Sequence, residues 1–119
     1  MRHLLRTLVH RLRPTRWAQA VQVSGEGVTL VDSRGRRADF AWNEVREVVT
    51  FKRDLGTFDD IRLGFRLGDR WVEVSEDAEG WSALSAAIRL HFPTIPSDWY
   101  ETVMSPPFET CYRVLYERG

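Results

Sequence analysis

The chain has 119 residues, no net formal charge, 43% apolar and 12% aromatic residues, and a single cysteine. That is the size of one domain, with enough apolar side chain to form a core without disulfides or metals. The charge is uneven: residues 1–16 hold Arg2, Arg6, Arg11, Arg13 and Arg16 and no acid, giving +5 and leaving −5 on the rest, which excludes a basic, nucleic-acid-tracking body.

Leu4, Leu8 and Leu12 recur every fourth residue, with Leu5 and Val9 beside them. The spacing predicts a short basic amphipathic helix over 3–13, ended by Pro14. Its apolar stripe is interrupted by Arg and His, so it reads as neither a secretory signal nor a membrane span of about 20 apolar residues. Alternation then takes over. Strands are expected at 18–24, at 28–32 after Gly25-Glu26-Gly27, and at 38–42 after Ser33-Arg34-Gly35-Arg36.

A fourth strand, 45–53, alternates weakly. A loop is expected from Asp54 to Asp60. Ile61, Leu63, Phe65 and Leu67 alternate without a fault, Gly68-Asp69 fits a two-residue hairpin turn, and 70–76 returns. Asp77 is placed to cap a helix over 78–92, whose stripe is Trp81, Leu84 and Ile88 and which Pro93 stops. A helical turn follows at 98–104. Residues 108–116 fit a last strand or an ordered tail.

This order predicts an α+β fold: a short N-terminal helix, then an antiparallel β-meander of about six to seven strands, covered by a C-terminal amphipathic helix. Residues 1–16 form the arm and 17–119 the single domain. The strands within 18–76 followed by the helix with Trp81, Leu84 and Ile88 resemble the pleckstrin-homology-like superfold, and are similar to small bacterial proteins of that shape. The resemblance implies a binding module for lipid, peptide or protein. Phosphoinositide-binding members carry a basic cluster between the first two strands. Here that loop is the acidic Ser24-Gly25-Glu26-Gly27, and the basic residues Arg34, Arg36 and Arg37 come one turn later.

The catalytic residue types are present but no spacing assembles them. A reactive Cys111 needs a nearby base, and His91 is the only histidine outside the arm. Cys111 alone allows no intramolecular disulfide, which suits a reducing cytoplasm. His3 and His10 are surrounded by arginines, and Asp54, Asp59 and Asp60 lack the spacing of a calcium loop, so no metal and no cofactor is expected. Binding is expected at the turn Arg34, Arg36 and Arg37, which offers cations to an anion or acidic partner, and at the stripe Leu4, Leu8 and Leu12, which needs a surface to cover it. The reading is a non-catalytic binding or scaffolding module acting through protein contacts or self-association. One alternative is peripheral membrane binding through residues 1–16 and the 33–37 turn. A second is a small hydrolase using Asp54, Asp59 or Cys111.

Overall fold

A computed structural model describes residues 17–54, 59–105 and 112–118. The expected helix at 3–13, with Leu4, Leu8 and Leu12, lies outside those residues, as does Cys111.

Seven strands form one sheet: β1 (Trp17–Val23), β2 (Gly27–Val31), β3 (Arg37–Ala41), β4 (Glu47–Asp54), β5 (Asp59–Leu67), β6 (Arg70–Glu79) and β7 (Arg113–Glu117). Two helices follow β6: α1 (Trp81–His91) and α2 (Trp99–Met104). The α+β class and the predominance of antiparallel pairing are as expected. The single meander is not. The strand order is β3-β2-β1-β6-β5-β4-β7, so two three-strand meanders join edge to edge, and the joining pair, β1 with β6, is parallel. Nor does the covering helix close the chain. After α1 come α2 and β7, and β7 adds to the sheet beside β4.

Alternation explains the core. On β5, Ile61, Leu63 and Phe65 face the helices and are buried, and they pair with core-facing residues of β4 and β6. Leu84 and Ile88 of α1 are fully buried in the same cluster. The sheet curls, so that Phe40 on the edge strand β3 reaches Phe65 on β5 with ring centroids 5.4 Å apart. Beyond β3 a 3-10 turn, Trp42–Glu44, crosses toward β4. There the Trp42 indole donates to the Ser24 carbonyl at 2.9 Å and stacks on His91 at 4.3 Å. Arg118, just past β7, donates to the Asn43 carbonyl at 2.7 Å, linking the two edges of the rolled sheet.

The helix start differs from expectation for a clear reason. Asp77 does not cap it, because β6 stays in the sheet to Glu79, which pairs with Ala20 of β1 beyond a bulge. The turn is made by Gly80 at φ 93°, without a side-chain cap. A Cβ there would lie 2.0 Å from the Val21 carbonyl oxygen, so both backbone conformation and space require glycine. The expected 54–60 loop is likewise shorter, since Asp54 and Asp59 already pair across the β4–β5 hairpin. The fourth strand begins at Glu47 rather than residue 45, because the 3-10 turn occupies the approach. No described helix is long and apolar enough to cross a membrane.

The second face of the sheet is unusual for an antiparallel array, which commonly leaves one side to water. Val49, Phe51 and Trp71 are buried there, and Gly64 makes room for them: a Cβ at Gly64 would meet Val49 at 2.9 Å and the Trp71 ring at 3.6 Å. Tyr112 stacks on Phe51 with centroids 6.3 Å apart.

Two glycines separate the costs of conformation and space. Gly80→Ala is expected to lower folding free energy by about 3 kcal/mol or more, from left-handed strain together with the carbonyl clash. Gly35→Ala, also at positive φ but facing open space, is expected to cost about 1–2 kcal/mol. Urea unfolding of both variants measures this, and equal losses contradict the account.

Candidate functional site

The sheet's second face carries a buried ionic network. Arg62 lies on β5, where the plain alternation of the sequence marks it as an outward residue. It is 4% exposed. Its Nε donates to Asp60 Oδ2 at 2.7 Å and its Nη1 to Glu73 Oε1 at 3.0 Å. Asp60 Oδ1 accepts from the Ser75 hydroxyl at 2.6 Å, and Glu73 Oε2 accepts from Arg53 at 3.1 Å. Strand pairing produces this: Arg53 stands opposite Asp60, and Arg62 opposite Ser75. Nearer the β5–β6 turn, Arg66 donates to the buried Glu47 at 3.1 Å. Buried charges persist only when paired and hydrogen-bonded. These carboxylates are therefore structural ligands of guanidinium groups.

An open site lies at one end of the sheet. The first residue of β1, Trp17, pairs with Glu73, so the start of β6, residues 70–72, runs past it. The β2–β3 hairpin turns back at the same end. Between them is a cleft of about 280 Å³. Its floor and walls are Ala18, Leu30, Ala38, Trp71 and Val72, and its charged lining is Asp32, Arg36, Arg37, Arg70 and Glu73.

The sequence-predicted turn divides at this site. Arg36 and Arg37 line the cleft. Arg34 sits at the exposed turn tip and is not part of the lining. The turn's own anion-binding donors are already used. Asp32 Oδ1 accepts the backbone N–H of Arg34 at 2.8 Å and of Arg36 at 3.0 Å, and its Oδ2 accepts Arg36 Nε at 3.0 Å. Partial desolvation opposes charge on Asp32. The two backbone N–H groups and the Arg36 guanidinium outweigh it and hold the carboxyl below the ordinary aspartate range. Asp32 thus occupies the turn as a built-in anion. Arg37 and Arg70 are exposed and carry no ion pair among the described residues.

Arg70, Asp32 and Trp71 were not evident as site residues. Arg70 follows the Gly68-Asp69 turn and reads as an ordinary hairpin charge. Only the parallel β1–β6 pairing, which joins residues far apart in sequence, brings it to the cleft that Arg37 lines. The other predicted residues do not join this site: Leu4, Leu8, Leu12 and Cys111 lie outside the described residues, while Asp54 and Asp59 are paired at the β4–β5 hairpin. Among the described residues no group of three His, Cys, Asp or Glu side chains is arranged to hold a metal.

A carboxyl-detected NMR titration is expected to place Asp32 below about 3.9, the unperturbed value, and Arg36→Gln is expected to move it upward. Because the folded pKa is depressed, the hairpin stability that Asp32 contributes is present above the unfolded pKa. It is lost as pH falls through the folded value. A midpoint at the unperturbed value, unmoved by the substitution, contradicts the built-in anion.

Comparison with known proteins adds no kinship to this geometry: no family model, no curated protein and no solved structure matches the chain.

Proposed function

We propose that the chain is a non-catalytic binding module of the cytoplasm that acts through protein contacts at the arginine-rimmed cleft. The single observation behind this reading is the pairing of two uncompensated cations, Arg37 and Arg70, with an apolar floor in one concavity. Concave apolar surface with a few polar groups is the usual form of a binding site. The carboxylates nearby are held by arginines, which supports binding over catalysis. The curled sheet with α1 over its core face supports the resemblance to the pleckstrin-homology-like superfold, in a version whose β1–β6 pair is parallel and whose last strand follows the helices.

The reading is tested by NMR on the 15N-labelled full chain with millimolar random-sequence hexapeptides. Shifts are expected to concentrate on Leu30, Ala38, Arg70, Trp71 and Val72. Arg70→Gln is expected to weaken the effect about two- to fivefold, the usual scale of one exposed ion pair. Shifts centred elsewhere, or none, contradict it.

A second reading, a peripheral membrane contact, has its own observation. The chain enters β1 at Trp17, opposite Glu73 in the cleft wall, and Arg34, Arg36, Arg37 and Arg70 lie at that end of the sheet. Cations gathered at one end favour an anionic surface. Co-sedimentation with vesicles containing phosphatidylserine, compared with neutral vesicles, tests it. Binding that rises with anionic lipid and falls with salt supports this reading, and binding independent of lipid charge removes it.

A further inference from the structure

We propose, building on the protein-binding reading, that the cleft takes a short acidic protein segment in which a carboxylate side chain stands next to an apolar or aromatic one.

Charge complementarity carries the argument. Among the described residues, five charged side chains line the cleft. Asp32 and Arg36 satisfy each other at 3.0 Å. Glu73 is clamped by Arg62 at 3.0 Å and Arg53 at 3.1 Å. What is left over is Arg37 on one wall and Arg70 on the other, both exposed and both without an ion pair among the described residues. The cleft therefore presents two positive charges to an occupant. A guanidinium offers a planar fork that matches a carboxylate.

The rest of the lining selects among anions. An inorganic anion or headgroup phosphate is commonly held by a run of backbone N–H groups. Here the amides of Arg34 and Arg36 are spent on Asp32, at 2.8 and 3.0 Å. The floor beneath the arginines is apolar instead, built from Leu30, Ala38, Trp71 and Val72. Such a floor gives a small hydrated ion nothing, but it rewards a neighbouring apolar side chain. At about 280 Å³ the space lies just under the range of small-molecule sites, roughly 300–1,000 Å³, and suits one or two side chains. A flat bilayer cannot fill a concavity of this kind, which favours a peptide over a membrane as the occupant.

The test is selection of a random 12-residue phage-displayed peptide library on the immobilised full chain, with the double variant R37Q/R70Q as counter-selection. Circular dichroism and the thermal midpoint confirm that the double variant is folded. The expected result is enrichment of Asp or Glu adjacent to Phe, Trp, Leu or Ile, with binding lost on the double variant. Replacing the acids of a synthetic winner by Asn or Gln is expected to weaken it about tenfold, the combined scale of two exposed ion pairs. Cleft-dependent peptides without acids overturn the acidic partner and leave the protein-binding reading standing. If no enriched peptide depends on Arg37 and Arg70, and only phosphatidylserine vesicles engage the chain, both are overturned.

Discussion

The Arg62 guanidinium, buried between Asp60 and Glu73, is the contact on which the remaining architecture depends. A cation at this depth persists only with close carboxylate partners, because removal from water costs several kcal/mol per ion. Asp60 is two residues away on the same strand, and Glu73 lies on the neighbouring strand. Glu73 is in reach only in the observed β5–β6 register. A slip of one residue would turn Arg62 into the apolar core and move Leu63 and Phe65 out of it, so the ionic contact and the apolar alternation specify the same pairing. Ser75 and Arg53 complete the arrangement, each donating to a carboxylate that Arg62 already holds.

That commitment shapes the cleft from behind. Glu73 belongs to both the network and the cleft wall. If its carboxylate faced the opening, it would neutralise Arg70 or Arg37 and the site would lose its positive character. With Glu73 held inward by two guanidinium groups, and Asp32 held by the hairpin it caps, the two acids of the lining are spent. The positive character of the cleft is thus the remainder after local pairings are made. It depends in part on Arg53 and Arg62, which are not in the cleft lining.

Several elements were legible in the residues. Ile61 to Leu67 and the Gly68-Asp69 turn carry unbroken alternation and standard turn chemistry, and they fold as the pattern indicates. What escaped depends on long-range pairing. β6 runs to Glu79 because β1 offers a parallel edge, and nothing near Asp77 signals this. Local capping preference therefore loses to sheet pairing, and Gly80 makes the turn. Arg62 and Arg66 read as solvent-facing charges, because a single strand cannot show that Glu73 and Glu47 stand opposite on its neighbours. Within the site, Arg36 and Arg37 were legible as a basic turn. That Asp32 absorbs the turn's own donors, and that Arg70 arrives from another hairpin, follows only from the assembled sheet.

The account rests on Arg62 and Glu73 acting as one unit, and a double-mutant cycle with Arg62→Met and Glu73→Gln reads that directly. Each single substitution strands a buried charge or polar group and is predicted to cost about 3–5 kcal/mol in urea unfolding. The double variant is predicted to lose far less than the sum, with a coupling of about 2–3 kcal/mol. Losses that add to within about 0.5 kcal/mol, the behaviour of independent sites, would contradict the claim that this buried pair organises the sheet and frees the cleft for an acidic partner.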